Sequence, residues 1–256
     1  MTTGNPPSPD DGNDHFLRPD GATVVDTEAL YRTYVNLDFV LEHRGMACLY
    51  GDTGLGKTTT VNTAVRRLVP EGTIHMSCCT YAGSIRGQLI HALRLQGHRP
   101  RHPQECDNLL KTTLAEKFRI LVCDEAHLLP VDGFEYLRHL WDDPRTAMTI
   151  VFVGEADCPE ALELMRSPLA ASRIELYQKI TSMTMAEVLE VIPTYHPIWA
   201  DADVTLIDLA DRQAAHGNWR AWAHLTALVA RALERLQRSA VDEDVLRGVL
   251  DRLRPP

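Results

Sequence analysis

The stretch from Cys48 to Asn62, CLYGDTGLGKTTTVN, combines residue types that bind phosphate. Its segment GDTGLGKT, residues 51–58, fits the spacing G-x-x-x-x-G-K-[ST] and lies between a predicted strand and a predicted helix. Glycines let backbone N–H groups surround a phosphate, and the start of a helix adds partial positive charge. Lys57 should reach the β- and γ-phosphates of ATP, and Thr58 should bind Mg²⁺. The predicted nucleotide contacts are Gly51, Asp52, Thr53, Gly54, Leu55, Gly56, Lys57, Thr58 and Thr59.

Two adjacent acids end a second apolar segment, ILVCDEAH. Asp124 is placed to bind the magnesium ion, and Glu125 to orient and deprotonate the water that attacks the γ-phosphate. The pair favours hydrolysis over transfer of phosphate to a small acceptor. The letters DEAH also mark a class of helicases, but those need two tandem RecA-like domains. We expect His127 to form local hydrogen bonds and leave it out of the site.

The elements that must position these residues follow an alternating pattern. Apolar segments typical of strands begin near residues 46, 73, 119, 146 and 173, and each of the first four is followed by a helical pattern. Such alternation indicates an α/β fold with a parallel sheet flanked by helices. After Thr184 only helical patterns follow. We predict a disordered tail over 1–25, which is rich in Pro, Gly, Asp and Asn, a P-loop core over 26–182 and a small all-helical domain over 183–256.

The composition excludes some classes of protein. A net charge of -9 over 256 residues argues against a wholly basic protein that coats nucleic acid, although a local basic surface is compatible with it. No apolar run reaches the roughly 20 residues of a membrane span, and the N-terminus lacks the pattern of a secretory signal. The six cysteines form no C-x-x-C pair, which favours buried thiols over disulfides or zinc ligands. We expect a cytoplasmic protein with no membrane partner.

The P-loop, the Asp-Glu pair, the α/β core and the helical C-terminal region together resemble an AAA+ ATPase. The segment HGNWRAWAHLTALVARAL is similar to the sensor-2 helix of that family, which implies that Arg220 reaches the γ-phosphate within its own subunit. The resemblance also implies an arginine finger that acts across a subunit interface. The segment LMRSPLAASRIELY offers Arg166 and Arg173, and Arg173 is the first choice because it directly precedes the fifth strand. The alternative for each arginine is an ordinary surface or interface ion pair.

One position departs from the family pattern. Sensor 1 normally presents Asn, Thr or Ser at the end of the fourth strand, whereas this strand ends in Gly154 and Glu155. A carboxylate is a poor partner for phosphate. Either a neighbouring residue takes the role, or hydrolysis is slow, as would suit a timer better than a motor.

Within AAA+ proteins, the chain from about Asp26 to Leu253 resembles the transposition-helper ATPases of the TniB, TnsC and phage Mu B group, with the ExeA-type secretion ATPases as near relatives. The resemblance implies that ATP-bound subunits assemble as a ring or helical filament on duplex DNA without sequence specificity. It further implies that they recruit or activate a transposase or integrase, and that hydrolysis disassembles them.

A basic stretch offers independent support for DNA binding. Between Ser84 and Gln104 the chain has no acid, and three histidines accompany four arginines. Such a segment could contact phosphates without reading bases, and its lack of aromatic residues favours duplex over single-stranded DNA. The alternative is a solvated helix face whose arginines pair with acids elsewhere. The predicted DNA contacts are Arg86, Arg94, Arg99 and Arg101.

These observations predict an ATP hydrolase that regulates DNA transposition, with ATP and Mg²⁺ as cofactors. The alternative is an ATPase switch or loader that acts on a protein partner, of the ExeA or helicase-loader type. ExeA-type proteins usually carry a transmembrane segment and a periplasmic region after the ATPase, and neither pattern is expected before Pro256. A small-molecule kinase is a third, weaker alternative, because it needs neither the acid pair nor the helical domain.

Overall fold

A computed structural model of the chain describes residues 19–69, 71–78, 85–95, 97, 102–155 and 172–253. The chain divides into a core unit, Asp26–Met183, and a helical unit that joins Met1–Val25 to Thr184–Pro256. The division falls one residue from the predicted boundary at 182. The predicted helix over 159–165 lies outside the described residues, as do Arg99, Arg101 and Arg166.

The core unit is built on a parallel five-stranded sheet of order β2-β3-β4-β1-β5. This arrangement confirms the predicted fold class. Strand β1 lies between β4 and β5, so its end, where the phosphate-binding loop begins, is enclosed on both sides. The strands are β1 Met46–Gly51, β2 Thr73–Ser77, β3 Arg119–Asp124, β4 Met148–Glu155 and β5 Ile174–Lys179.

Helices cover both faces of this sheet because its strands are apolar on both sides, as is typical of parallel sheets. On one face, Met46 and Cys48 pack among residues from three helices, and on the other, Ala47 and Leu49 pack among residues from two. Burying each large apolar side chain contributes about 1.5–3 kcal/mol. The helices are α1 Glu28–His43, α2 Lys57–Leu68, α3 Ile85–Ala92, α4 Pro103–Glu116 and α5 Val131–Asp142.

The start of α4 differs from the predicted one, whereas the end of β3 agrees with it. Helix α4 begins at Pro103 instead of residue 107, because proline at the first helical position fits the helix and needs no N–H partner. The third strand ends at Asp124, as the acid pair predicts, and the rest of the segment RILVCDEAHLL includes a 3₁₀ turn over Ala126–Leu128. The chain therefore leaves the sheet at the two acids.

The helical unit packs around two buried tryptophans. Trp199 and Trp222 meet edge to face with ring centroids 5.5 Å apart, and the Trp199 indole N–H donates to the Thr226 hydroxyl at 2.9 Å. Buried indole N–H groups need such partners. The helices are α6 Met185–Tyr195, α7 Pro197–Ala200, α8 Val204–Ala210, α9 Trp219–Leu236 and α10 Glu243–Leu253.

A π-helical turn over Asp211–Ala215 follows α8, where the sequence predicted a helix as far as residue 213. The Asp211 carboxylate is buried and accepts from the Gly217 N–H at 2.7 Å and the Trp222 indole N–H at 3.0 Å. The extra residue of the π turn thus brings a carboxylate to the start of α9. Periodicity alone could not predict this hydrogen bond.

Residues 19–25 differ from the predicted disordered tail, of which residues 1–18 lie outside the described residues. The Thr23 N–H donates to the Tyr195 carbonyl at 2.9 Å, and the His196 imidazole contacts the Asp20 carbonyl at 2.8 Å. These contacts order the segment on the helical unit. Nowhere in the described ranges does a helix combine the length and apolar character needed to span a bilayer.

Candidate functional site

The loop between β1 and α2 has the backbone geometry of a phosphate cradle. Gly54 and Gly56 have φ angles of 81° and 82°, the left-handed region that glycine adopts without steric cost. A Cβ atom on Gly51 would lie 2.2 Å from the Ile180 carbonyl oxygen, so only glycine fits where β1 leaves the sheet. Helix α2 begins at Lys57 with no side chain to cap its first turn. Its N–H groups therefore suit an anion.

The Lys57 ammonium folds back over the loop. Its Nζ donates to the carbonyl oxygens of Gly51 and Asp52, each at 2.8 Å. Partial burial lowers the pKa of Lys57, and surrounding carboxylates oppose that shift. A cation held near several acids and partly desolvated would gain from a phosphate partner. The opposing carboxylates are Glu155, Glu125, Asp124 and Asp52.

The structure brings Thr58 and Asp124 together, although 66 positions separate them in the chain. The Thr58 hydroxyl lies 3.0 Å and 3.2 Å from the two carboxylate oxygens of Asp124. One hydroxyl and one carboxylate fit Mg²⁺, which prefers oxygen ligands and completes its octahedron with waters and substrate phosphates. The described residues hold no group of three or more His, Cys, Asp or Glu side chains placed to bind a metal. The oxygens of this pair are thus the protein ligands that the site offers.

Glu125 has an uncommon backbone conformation for a non-glycine residue. Its φ is 53°, its N–H donates to Asp124 Oδ1 at 3.0 Å, and its carbonyl accepts from the Leu128 N–H at 2.9 Å. Left-handed residues of this kind concentrate at active sites. The side chain is 50% exposed, so its carboxylate can reach a water molecule. This arrangement suits a general base.

His127, which sequence reasoning left out of the site, lies against Glu125. Its Nδ1 is 3.4 Å from Glu125 Oε2, and its side chain is only 13% exposed. The sequence DEAH includes His127, but it does not predict that the imidazole lies beside the Glu125 carboxylate. Only the 3₁₀ turn after β3 produces that approach.

The end of β4 explains part of the departure at sensor 1. A Cβ atom on Gly154 would lie 3.4 Å from the backbone nitrogen of His127, so the end of β4 is in van der Waals range of the turn. Glu155 is paired in register with Gly51, and its charge acts on Lys57. The strand therefore supplies negative charge where the family pattern supplies a neutral polar side chain.

Arg173, predicted as an arginine finger, forms an ion pair within its own chain. Its Nε donates to Asp142 Oδ1 at 3.1 Å, and one of its terminal nitrogens lies 3.3 Å from the Ser172 hydroxyl. The side chain is 38% exposed. An exposed pair of this kind is weak, about 0–1 kcal/mol, so a partner subunit could displace it. The role across an interface stays a prediction.

Arg220 occupies the second position of α9 in the helical unit, where its side chain is exposed. The Asn218 side chain caps this helix by accepting from the Ala221 N–H at 3.1 Å. The cap and the Asp211 network fix the backbone on both sides of Trp219. Contact of Arg220 with nucleotide stays a prediction.

The described part of the basic stretch splits into two kinds of arginine. Arg86 pairs with Asp107 at 2.7 Å, and its guanidinium carbon lies 4.3 Å from the centre of the Tyr136 ring. The hydrogen bond to Asp107 raises the pKa of Arg86. Arg94 instead lies two residues after the end of α3, in a left-handed conformation with an exposed side chain. Arg86 thus has the structural role weighed as the alternative, whereas Arg94 can meet a phosphate.

Tyr136 completes the cluster around Arg86. Its hydroxyl donates to Asp107 at 2.6 Å, and burial, together with that hydrogen bond, raises the pKa of Tyr136. Burial raises the pKa of Asp107, but hydrogen bonds from Arg86 and Tyr136 outweigh it and hold that pKa below its ordinary value. The cluster joins α3, α4 and α5, which explains why Arg86 is held in place.

The chain is similar in sequence and in structure to known proteins. Residues 40–162 match the family model described as an AAA domain. No curated protein sequence matches the chain. Among solved structures, the ORC2 protein of Aeropyrum pernix, in ADPNP-ADP complexes, is similar with a TM-score of 0.69 and 16% identity over 93% of this chain and 70% of that one.

Two further solved structures share the fold with comparable TM-scores and sequence identities. The ORC1 protein of A. pernix, in complex with DNA, has a TM-score of 0.68 and 17% identity over 87% of this chain and 65% of that one. The Thermotoga maritima RuvB Holliday junction branch migration motor has a TM-score of 0.65 and 17% identity over 93% and 73%. At such identities the likeness concerns the fold. Residues 40–162 therefore resemble an AAA domain, and the chain has an AAA+-like fold.

Proposed function

We propose that the chain hydrolyses ATP at the loop between β1 and α2 and uses the nucleotide to time its own assembly on duplex DNA. The hydrogen bond between Thr58 and Asp124 carries the first half of the proposal. It joins the phosphate-binding loop to the acid at the end of β3 in the arrangement that phosphoryl transfer requires.

Each residue of the site has a distinct part in the hydrolysis. Lys57 leaves the carbonyls of Gly51 and Asp52 and pairs with the phosphates, while Thr58 and Asp124 supply oxygens for Mg²⁺. When bound, Mg²⁺ neutralises charge on the β- and γ-phosphate oxygens. Glu125 accepts a proton from water as the water oxygen bonds to the γ-phosphorus. The bond from that phosphorus to the bridging oxygen then breaks, and ADP leaves.

The proposal extends to the assembled state. Arg173 of one subunit would exchange Asp142 for the γ-phosphate bound by its neighbour, and Arg220 would sense the γ-phosphate within its own subunit. A guanidinium that arrives across an interface makes hydrolysis depend on assembly. This dependence fits a ring or helical filament that hydrolysis takes apart.

Support for DNA as the partner comes from the exposed Arg94 and from the solved neighbours, one of which is described as bound to DNA and another as a Holliday junction motor. Arg94, Arg99 and Arg101 would contact phosphates without reading bases. Arg86 would contribute only if DNA displaced Asp107 from it. The transposition-helper resemblance then suggests that the assembly recruits or activates a transposase or integrase.

A second candidate function is an ATPase switch or loader that acts on a protein. The pairing of Arg86 with Asp107 favours it, because it removes one of four arginines from the predicted DNA surface. The net charge of -9 also favours it. This candidate shares the ATPase site and differs only in what the ATP-bound assembly holds.

The test uses Glu125→Gln, which should bind ATP but not hydrolyse it. We expect turnover to fall about 100-fold or more, as for loss of a general base. Fluorescence anisotropy should show that this variant stays on a labelled DNA duplex in ATP and low salt, and releases it as salt rises. Electron microscopy of the same sample should show rings or filaments.

Two arginine variants form the matched control. Arg94→Ala should weaken DNA retention, whereas Arg32→Ala, which removes the same charge from the exposed surface of α1, should not. If Glu125→Gln binds ATP but shows no ATP-dependent retention on duplex DNA at low salt, the DNA role is wrong and the protein-partner role takes its place.

A further inference from the structure

Glu125 is fixed through its backbone, but a catalytic base also needs its carboxylate held in one direction. The N–H and the carbonyl of Glu125 are both hydrogen-bonded, at 3.0 Å and 2.9 Å. These bonds hold the left-handed backbone of Glu125 in place. With the side chain 50% exposed, however, nothing in the backbone fixes the last torsion angles of the carboxylate.

Lys57 is poorly placed to do so. The charge of Glu125 acts to raise the pKa of Lys57, but the hydrogen bonds of Lys57 go to the carbonyls of Gly51 and Asp52. When ATP binds, the same ammonium is needed by the phosphates. Another donor must hold the carboxylate throughout the reaction.

His127 is such a donor. Its Nδ1 is buried and has no hydrogen-bond partner among the described residues, an unfavourable arrangement for a polar atom. Glu125 Oε2 lies 3.4 Å from that nitrogen, a gap that a small rotation of the exposed carboxylate closes. The imidazole itself is 13% exposed and cannot move away easily. The mobile partner is therefore the carboxylate and the fixed partner the imidazole.

Gly154 supports the same arrangement from the neighbouring strand. A Cβ atom at this position would lie 3.4 Å from the His127 nitrogen and 3.9 Å from its Cβ. The end of β4 thus lies in van der Waals range of the turn that carries His127, and Gly154 itself has no side chain to donate to Glu125.

We infer that His127 is a positioning residue for Glu125, its Nδ1–H donating to Oε2 so that Oε1 faces the attacking water. The inference rests on the proposed hydrolysis at this site. The imidazole keeps its proton throughout, and the proton from water goes to Oε1. Loss of the donor should therefore slow the chemical step without weakening nucleotide binding.

Three substitutions of His127 separate this role from simple packing. An asparagine places its amide nitrogen near the position of Nδ1, whereas a glutamine places its own near Nε2. We expect His127→Ala to lower kcat by about tenfold, a fraction of the 10²–10⁴ that a general base supplies. His127→Asn should restore most of that loss, and His127→Gln should not.

Steady-state turnover gives kcat and KM, and a fluorescent ATP analogue gives the affinity, which should stay within about twofold in all three variants. Unchanged kcat in His127→Ala would overturn the inference. So would an equal loss in the alanine, asparagine and glutamine variants together with a lower melting temperature, because that pattern indicates packing. If the wild-type chain turns over no ATP, the proposed function fails first and this inference fails with it.

Discussion

Two aspartates show how differently the core unit and the helical unit use polar groups. Asp211 is 6% exposed, and a backbone N–H and an indole N–H both donate to it at hydrogen-bond distance. Asp124, at the end of β3, instead accepts from the Thr58 hydroxyl and the Glu125 N–H, and its charge acts to raise the pKa of Lys57. The donors to Asp211 have a structural role only. Under the proposed function, the Thr58 hydroxyl and the Lys57 ammonium near Asp124 would instead bind Mg²⁺ and phosphate.

The two units differ in whether the hydrogen-bond partners of their polar groups are all supplied by the fold. In the helical unit, the hydrogen bonds of Asp211 hold a π turn to the start of α9. In the core unit, Lys57 is bonded to loop carbonyls, and the His127 Nδ1 has no hydrogen-bond partner among the described residues. Under the proposed function, these are the groups that a nucleotide and Glu125 would engage.

The largest predicted effect belongs to Arg173. It lies in the core unit, and its present partner, Asp142, is one that the proposed function requires it to leave. If it is an arginine finger, Arg173→Ala should lower ATP turnover of the assembled protein by roughly a thousandfold, since fingers contribute 10³ or more. Nucleotide affinity of the isolated subunit should not change. The control is Arg145→Ala, which breaks the ion pair of another exposed arginine, with Asp143. Equal turnover in both variants under assembling conditions would remove Arg173 from the site.

Lys57 should show the next largest effect. Lys57→Met should weaken ATP binding by about 100-fold, as for loss of a charge-assisted contact worth up to 3 kcal/mol, while Lys179→Met, at an exposed position on β5, should not. Titration with a fluorescent ATP analogue measures both. A variant that binds ATP normally would contradict the site itself.

The same variant has a predicted effect on stability without nucleotide. Burial lowers the pKa of Lys57 in the folded state, so the unfolded chain holds this proton to higher pH. The folded state therefore carries a penalty at neutral pH that is relieved as pH rises towards the ordinary lysine pKa, about 10.4. Urea unfolding at several pH values should show Lys57→Met equal to or more stable than the wild type, with a difference that shrinks in alkali.

Substitution of Asp211 should lower the stability of the fold, whereas substitution of Lys57 should not. Asp211→Ala leaves two buried donors without an acceptor, at about 1–3 kcal/mol each. We expect a loss of about 3 kcal/mol on urea unfolding, followed by the fluorescence of the buried Trp199 and Trp222. Asp208→Ala, which breaks only an exposed pair with Arg212, should lose about 0.5 kcal/mol or less. A small loss for both would mean that the π turn does not depend on Asp211.

The smallest predicted effect concerns the start of the helical unit. Thr184 and Glu187 form a capping box, in which the Thr184 hydroxyl accepts from the Glu187 N–H at 3.3 Å. Thr184→Ala should lower the stability of the unit by about 1 kcal/mol without changing ATP turnover. Glu190→Ala, in the same helix, serves as the control and should have less effect. A change in turnover would show that this cap affects the nucleotide site as well as the fold.

Sequence reasoning succeeded where a short pattern carries the chemistry. Lys57 and Thr58 follow from the loop spacing, and β1 was predicted with the bounds that the structure has. It did not reach His127, Asp107 or Asp211, because each acts through a partner distant in space or through a local backbone that periodicity does not encode. The pairing of Arg86 with Asp107 crosses 21 positions and joins two helices.

The sequence by itself predicted a phosphate-binding loop on a parallel α/β sheet, because glycine spacing and apolar alternation are local properties with few structural solutions. Only the tertiary structure decided which acids face the loop, which arginine of the basic stretch is already paired, and which imidazole lies beside the predicted base. Those are distances between segments, and a distance follows from packing. The 3.0 Å between the Thr58 hydroxyl and the Asp124 carboxylate is one such distance, because 66 positions separate the two residues in the chain.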